Sequence, residues 1–308
     1  MMITEHLAAG ILLSNSNKNT KSNEFLFISL IASILPDLPV LFLGKPGDLG
    51  YLSHRIFSHS IILAPIYAII PVVLGYLIFR FKLNNLFLFY LGSVIAYLVH
   101  IFLDYLTPYG VQLLYPLNKN ISSLDLFHSF DPIFIFISTP IILTFIIRRY
   151  KGHFFSKSIT LIYFGTILLY TSISLFSKNV FTREIEILNK SEDTETKVLA
   201  IVPRTFWRWK AISENPKNYS IIFNKNGEKK KMYFSKRFDI RSSISKSKEF
   251  KDFIDYARFP VILNEERDTL ELANMVYSLN SYKLTLYLDV MREVDSYRLT
   301  GFDIKDNH

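Results

Sequence analysis

Long apolar runs alternate with short polar segments over the first part of the chain. Five of these runs stand out, and all but the short fourth one approach the roughly 20 residues that a helix needs to cross the hydrocarbon core of a bilayer. They cover residues 25–44, 61–79, 86–106, 133–147 and 158–176. A further apolar segment, residues 1–13, is too short to span, so we interpret it as a helix packed against the others. The pattern predicts a mainly α fold, namely a polytopic transmembrane helix bundle with about five spans plus a short N-terminal helix.

Beyond Lys178 the chain becomes polar, and short alternating segments replace the long apolar runs. Alternation of apolar and polar residues is typical of strands, and an Asn-Gly pair between two such segments is typical of a hairpin turn. Residues 197–202, 219–223, 231–234 and 282–291 fit strands, residues 224–227 fit a turn, and residues 248–258 fit a helix. We therefore predict a transmembrane domain at residues 1–178, followed by a small soluble α+β domain at residues 179–308.

The composition agrees with a membrane protein and narrows the chemistry. Hydrophobic residues make up 50% of the chain, and no cysteine is present. The absence of cysteine excludes disulfides, cysteine-ligated zinc sites and thiol catalysis. Any metal site must therefore use His, Asp, Glu or backbone oxygens, which suits zinc, manganese and similar divalent ions.

Basic residues concentrate in alternate loops between the predicted spans. These residues are Lys18, Lys21, Arg80, Lys82, Arg148, Arg149, Lys151 and Lys157. The positive-inside rule places such loops in the cytoplasm, so residues 45–60, residues 107–131 and the tail are predicted to face outward. The tail is nearly balanced in charge, and nothing in the chain calls for nucleic acid.

The predicted topology brings most of the histidines, together with several aspartates, to the outward ends of the spans. This set consists of His6, Asp37, His54, His59, His100, Asp104, Asp125, His128 and Asp131. His100 and Asp104 are four residues apart in a helical run, so they share one face and can bind one metal ion. An ionisable group inside a span is costly and is functional by default, which applies to Asp37 and Asp104. His54 and His59 are five residues apart, so they converge only if the chain bends between them.

Several of these residues also have an ordinary structural explanation. His128 alone is better explained as an interfacial side chain, and Asp125 as a turn residue. Asp131, which precedes Pro132, is either a helix cap or a ligand. Arg55 either holds a phosphate or extends towards the membrane surface, and we favour the phosphate. The cluster Trp207-Arg208-Trp209 is better explained as a half-buried strand than as a surface for headgroups or a substrate.

Four sequence blocks occur in an order that identifies a family. They are TEHLAAG at residues 4–10, LPD at residues 35–37, HRIFSHS at residues 54–60 and HIFLDYLTPYGV at residues 100–111. Over about the first 180 residues the chain resembles the YdjM-like (DUF457) bacterial membrane-bound metal-dependent hydrolases. That family is remotely similar to zinc-dependent phospholipase C and P1 nuclease, which are helical phosphoesterases with zinc held by His and Asp.

The resemblance implies which residues bind metal and what the protein does. It implies metal ligation by His6, Asp37, His54, His100 and Asp104. His59 is then either a ligand or a group that positions one, and Asp131 adds to the site. We expect about one to three divalent ions, zinc first and manganese second.

The function predicted from these residues is phosphoester hydrolysis at the outer face of a bacterial cytoplasmic membrane, with a lipid or membrane-associated substrate. Asp37 or Asp104 would bridge two ions or act as general base, assisted by His59, and Arg55 would hold the substrate phosphate. One alternative is an ion-coupled transporter or channel, because intramembrane His and Asp also mark ion pathways. Another is a non-catalytic anchor that displays the tail domain.

Overall fold

The structure is a computed structural model. It describes residues 3–14, 22–41, 57–128, 131–150, 157–191, 196–205, 208–216, 218–225, 228–235, 247–265, 269–274, 281–288 and 294–302. These residues form two compact units, one ending at Ile173 and the other beginning at Ser174. The break between the units falls inside one continuous helix, so the domain boundary after residue 178 stays a prediction.

In the part of the first unit that the structure describes, the regular elements are helices. They are α1 (Ile3–Ser14), α2 (Asn23–Ile34), α3 (Ala64–Tyr67), α4 (Ile69–Phe79), α5 (Leu86–Tyr105), α6 (Pro132–Tyr150) and the first part of α7 (Lys157–Ser191), with 3-10 turns at Leu35–Leu41 and Leu83–Asn85. Among the described residues, three segments are long and apolar enough to cross a membrane: Leu83–Tyr105, Pro132–Arg149 and Ser158–Asn189. The predicted count of five spans is therefore not confirmed.

The two remaining predicted spans are shorter helices for local reasons. In the run at residues 25–44, α2 ends at Ile34, and the chain continues as a 3-10 helix that contains Pro36 and Pro39. Proline supplies no backbone N–H and disfavours a helical conformation of the preceding residue, so an α-helix does not continue through this segment. In the run at residues 61–79, regular helix begins only at Ala64.

The short helix α1 lies inside the first unit, packed against α2, α5 and α6. Small residues permit this close approach, because a Cβ atom added at Gly10 would lie 2.5 Å from Ser33 Oγ. The Ser29 hydroxyl donates a hydrogen bond of 2.8 Å to the Gly10 carbonyl and ties α1 to α2. The helix is thus packed as predicted, and its buried residues extend around most of its circumference.

The main apolar core of this unit surrounds α1. It consists of Ala8, Ala9, Ile11, Leu12, Leu103, Leu106, Leu126, Phe127, Phe134, Tyr163, Ile167 and Tyr170. The opposite sides of the long helices carry large exposed apolar side chains, such as Phe87, Phe136 and Leu168. An exposed apolar belt of this extent is typical of a surface that contacts lipid.

Two antiparallel four-stranded sheets and one helix follow the last part of α7. The first sheet has the order β1 (Lys197–Thr205), β2 (Arg208–Glu214), β3 (Asn218–Lys225) and β4 (Glu228–Ser235). After helix α8 (Lys248–Tyr256), the second sheet has the order β5 (Pro260–Glu265), β6 (Thr269–Asn274), β7 (Ser281–Leu288) and β8 (Val294–Phe302). The tail is therefore a small antiparallel sheet domain.

The sequence predicted part of this tail. The segments expected to form strands fall in β1, β3, β4 and β7, and the expected helix coincides with α8. Of β2 only the start was predicted, as the half-buried strand at residues 207–209, and strands β5, β6 and β8 were not predicted. One face of the first sheet packs against α7, where Phe181 and Ile185 contact Ile201, Trp209 and Ile222.

Candidate metal centre

Four buried or partly buried side chains converge in the first unit. Asp37, His59, His100 and Asp104 each offer one ligand atom, and these atoms all lie within 4.8 Å of one another. Asp37 comes from the 3-10 turn after α2, His59 from the turn before α3, and the other two from α5. Among the described residues this is the group with the spacing of a metal site.

Five of the six distances within the group lie close to the edge length of a coordination tetrahedron. His59 Nε2 lies 3.1 Å from Asp104 Oδ2, 3.2 Å from His100 Nε2 and 3.5 Å from Asp37 Oδ1. His100 Nε2 lies 3.6 Å from Asp37 Oδ1 and 3.9 Å from Asp104 Oδ2. Four ligand atoms at about 2.0–2.1 Å from a central ion would be about 3.3 Å apart. The donor atoms thus enclose a volume suited to one divalent ion.

The backbone of α2 determines which ring nitrogen of neutral His100 carries the proton. His100 Nδ1 lies 2.7 Å from the Ser33 carbonyl oxygen, which can only accept a hydrogen bond. The ring of neutral His100 therefore carries its proton on Nδ1 and directs the Nε2 lone pair into the group of four. A backbone partner on the distal nitrogen is the usual way in which a protein orients a metal-binding imidazole.

His59 is held by its neighbours in the turn before α3. Its Nδ1 lies 3.0 Å from Ser58 Oγ, and the Tyr97 hydroxyl donates a hydrogen bond of 2.7 Å to the Ser58 carbonyl. Ser60 Oγ donates a hydrogen bond of 2.6 Å to the Tyr115 carbonyl. These contacts fix the ring on the side of the turn that faces α5.

Asp104 has histidine nitrogens on two sides. Its Oδ2 atom faces His59 and His100, whereas its Oδ1 atom lies 3.5 Å from His6 Nε2. The spacing of four residues on α5 places His100 and Asp104 on one face, as predicted from the sequence. A carboxylate with a different partner at each oxygen has the arrangement of a ligand that bridges two ions.

His6 completes the second side of Asp104. Its ring stacks on the ring of His100 with centroids 3.7 Å apart, and neither ring nitrogen forms a hydrogen bond with a described residue. Burial, followed by the nearby His100, lowers the pKa of His6 to about 4, so this imidazole is neutral at pH 7. A buried neutral imidazole beside a carboxylate oxygen is a donor set that a divalent cation fits.

The group opens to solvent at one position. The side chains of His59, His100 and Asp104 are fully buried, but the side chain of Asp37 is 27% exposed. Two carboxylates this close together in an apolar interior repel each other, so a cation between them relieves a large electrostatic cost. A cation or water would reach the group past Asp37.

Asp131 occupies a different place from the group of four. Its Oδ1 accepts a hydrogen bond of 2.9 Å from the Ile133 backbone at the start of α6, and its Oδ2 accepts one of 2.7 Å from the Tyr170 hydroxyl. Burial raises the pKa of Asp131 despite these two donors. The structure thus places it as a helix cap, and does not bring it into the group of four.

The other sequence candidates are also accounted for. Asp125 has a φ of 52° and accepts a hydrogen bond from Ser123 Oγ, as a turn residue does. His128 is buried outside the group of four. His54, Arg55 and Trp207 lie outside the described residues. Trp209 is buried in β2 and donates a hydrogen bond of 2.9 Å to Ser177 Oγ, which agrees with the strand interpretation.

Several contributors were not found from the sequence. The Ser33 carbonyl, Ser58 and Tyr97 orient the two histidines, and Glu5 is fully buried beside His6. The three orienting groups are uncharged and belong to common residue types, so they carry no signal in a single sequence. Glu5 did carry a signal in the sequence, because it is a charged residue in an apolar helix.

Comparison with known proteins supports the resemblance. Residues 1–180 match the family described as YdjM inner membrane protein. The uncharacterized protein YfhP of Bacillus subtilis (strain 168) is 33% identical to the chain over 110 residues, which is 36% of this chain. The chain spans about a third of the length of this relative, since the match covers 33% of YfhP. No solved structure matches the chain. The four motif blocks and the match over more than half of its length establish that the chain belongs to the YdjM inner membrane protein family.

Proposed function

We propose that this chain is a membrane-embedded, metal-dependent hydrolase that cleaves phosphoester bonds in a lipid or membrane-associated substrate. The observation that carries the proposal is the group Asp37, His59, His100 and Asp104, whose donor atoms fit one divalent ion. A divalent ion bound there would supply Lewis-acid chemistry that activates water and polarises a phosphoryl oxygen. Zinc suits two imidazoles and two carboxylates, and manganese is the second choice.

The residues of the group have separable roles in this proposal. His59 and His100 hold the ion through Nε2, because His100 keeps its proton on the opposite nitrogen. Asp37 is the accessible carboxylate, so it is positioned to accept a proton from an attacking water. Asp104, together with His6, would hold a second ion on the other side.

Arg55 is proposed to hold the substrate phosphate. It lies in the sequence four residues before His59, and a guanidinium binds phosphate oxygens through two parallel hydrogen bonds. His54 is proposed as an additional ligand. Both roles rest on the sequence and on the resemblance to the family.

The depth of the group favours a substrate at the headgroup level. His100 lies about 21 Å from the Leu86 end of α5, since each helical residue adds about 1.5 Å. The hydrocarbon core is about 30 Å thick, so a span that enters at Leu86 places His100 in its far third. The basic residues Arg80 and Lys82 precede that entry, which favours an extracytoplasmic position of the group.

The first experiment measures metal in the detergent-purified protein by elemental mass spectrometry. We expect about one to three equivalents of zinc or manganese, which His100→Ala and Asp104→Asn reduce. The matched controls are His128→Ala and Asp125→Asn, which alter a buried histidine and a buried aspartate outside the group of four. Equal metal content in all five proteins would contradict the site.

The second experiment tests the reaction with phosphoester substrates, both in liposomes and in solution. Turnover that follows the metal content across the variants supports the hydrolase. If the protein binds metal but cleaves no phosphoester, the metal site would stand and the proposed hydrolase reaction would be wrong.

The competing function is an ion-coupled transporter or channel. It is favoured by the position of His100 and Asp104 inside a segment long enough to span. The location in the far third of that segment argues against it, because transporter sites lie near the bilayer midplane. If the protein carried ions in proteoliposomes and His100→Ala abolished that flux, the transporter or channel would become the favoured function.

A further inference from the structure

One loop beside the metal centre carries apolar side chains where a surface loop is normally polar. We propose that residues 112–121, here named the lip loop, insert into the leaflet on the side of the metal centre and contact phospholipid there. In this arrangement Leu114 and Leu117 enter the acyl region, and Lys119 lies among the headgroup phosphates. That the contacted lipid also supplies the substrate rests on the proposed function.

The two ends of the lip loop are paired with each other where the loop leaves the first unit and returns to it. Val111 and Ser122 form an antiparallel bridge with hydrogen bonds of 2.9 Å in both directions. Within the loop, the Tyr115 amide donates to the Gln112 carbonyl at 3.2 Å and the Asn118 amide donates to the Leu114 carbonyl at 3.0 Å. The chain is thus held in turns that fix which side chains point outward.

The exposed side chains of the loop are apolar at Leu114 and Leu117 and polar at the three residues that follow. Leu117 is 83% exposed and Leu114 is 46% exposed, whereas Val111 at the bridge is buried. Asn118 and Lys119 directly follow the tip and are also exposed. An apolar tip followed by a cation is the pattern of an interfacial segment, since the cation binds anionic headgroups while the tip enters the hydrocarbon.

The apolar tip continues the lipid-facing surface of the helices. The Ile61 amide donates a hydrogen bond of 3.0 Å to the Leu113 carbonyl, so the lip loop adjoins the chain that enters α3. Ile61 and Ile66 are 41% and 61% exposed, and Ile69 in α4 is 48% exposed. We expect these neighbouring exposed apolar side chains of the loop and the helices to contact the lipid of the bilayer together.

The small size of the tip argues against a second copy of the chain as its occupant. A specific protein interface buries about 1,200–2,000 Å² in total, far more than two leucine side chains provide. A few inserted apolar side chains with a neighbouring cation are sufficient for contact with lipid in a protein that is already anchored.

The lip loop is directly connected to the metal centre. Ser60, whose Oγ donates to the Tyr115 carbonyl at 2.6 Å, is the residue after the ligand His59. A lipid that lies against Leu117 therefore has its headgroup next to the turn that carries His59. This connection offers a route by which a phosphoester reaches the centre from the leaflet.

The absence of cysteine makes a direct test simple. Leu117→Cys is labelled with an environment-sensitive fluorophore, and Asn120→Cys on the same loop is the matched control. Both proteins are reconstituted into vesicles of phosphatidylglycerol and phosphatidylethanolamine. We expect nitroxide-bearing lipids to quench the Leu117 probe more strongly than the Asn120 probe, and aqueous iodide to show the opposite order.

Two results would overturn the proposal. Equal quenching of both probes by iodide would place the tip in water. A Leu117 probe protected from iodide but insensitive to nitroxide lipids would place protein over the tip, which cross-linking between copies would identify.

A second variant separates the lip loop from the reaction. Leu117→Asp is expected to keep the metal content of the wild type and to lower the ratio of turnover in liposomes to turnover in solution by about tenfold. An unchanged ratio would contradict substrate supply through the lip loop. If the wild type cleaves no phosphoester, the proposed function fails, while the quenching experiment still decides where the lip loop lies.

Discussion

The Nε2 atoms of His59 and His100 lie 3.2 Å apart, although His100 keeps its ring proton on the opposite nitrogen. Two rings in this arrangement share at most one proton between them. Asp104 and Asp37 add acceptor oxygens to the same space. A cation in this space would pair with the lone pairs that these nitrogen and oxygen atoms present.

A tetrahedral site makes a spectroscopic prediction. Protein loaded with Co(II) should show the intense visible absorption of a four-coordinate site with nitrogen and oxygen ligands. His59→Ala and His100→Ala each remove a ligand and should lose that absorption. His128→Ala should retain it, and its loss in that control would place the metal elsewhere.

The residues that orient His59 should tune metal affinity without removing a ligand. Ser58→Ala removes the partner of Nδ1, and we expect metal affinity to fall by about 10–100-fold. Competition with a chromophoric chelator measures this change. Ser123→Ala is the control, because its hydroxyl bonds to Asp125 outside the group. Unchanged affinity in Ser58→Ala would mean that the turn is held by other contacts.

Replacement of His6 should lower the number of bound ions without abolishing metal binding. If Asp104 bridges two ions, His6→Gln should lower the metal content by one equivalent, because the group of four keeps its own donors. Elemental analysis at saturating zinc checks this result. A loss of all metal would show that His6 belongs to one common site, and no loss would show that it is not a ligand.

Asp131 should affect stability and leave the metal in place. Asp131→Ala removes the acceptors of the Ile133 amide and the Tyr170 hydroxyl, which we expect to destabilise the protein by about 1–3 kcal/mol. The midpoint of thermal unfolding in detergent measures the change, and Asp131→Asn should recover part of it. Metal loss in Asp131→Ala at an unchanged midpoint would instead make it a ligand.

The crossing of α1 and α2 is predicted to tolerate no added methyl group. Gly10→Ala would place its Cβ atom 2.5 Å from Ser33 Oγ, so α1 and α2 must move apart. We expect a loss of about 1–3 kcal/mol in stability. Gly165→Ala is the matched control, since no atom outside the nearby backbone of its own helix and its two chain neighbours lies within 4 Å of the added Cβ atom. Similar unfolding midpoints for both variants would mean that the crossing adapts.

The sequence predicted those parts of the site that depend on local geometry. His100 and Asp104 share a helical face because of their spacing of four residues. The two prolines around Asp37 explain why the chain leaves the α-helix at that aspartate. Asp131 was ambiguous because a cap and a ligand require the same residue type at a helix start. Only the contact with Tyr170, far along the chain, identifies its place.

The fold was predicted less completely than the site, for a similar reason. Apolar runs indicate burial or contact with lipid, but they do not distinguish a spanning helix from one that prolines interrupt. Strand β2, of which only the start at residues 207–209 was predicted, has a continuous row of buried residues and no alternation, because both faces of the sheet are covered there. Such a strand resembles a buried helix segment in a single sequence.

The buried position of α1 has a consequence for how the protein is assembled in the membrane. A helix of 12 residues is about 18 Å long, so it does not cross a bilayer core of about 30 Å by itself. The side chains that enclose it, such as Leu103, Phe134 and Tyr163, come much later in the chain. Insertion of α1 must therefore wait for those helices, and so must the placement of His6 beside Asp104. Ribosome-bound chains that stop before Tyr163 should leave α1 open to proteases that the finished protein resists.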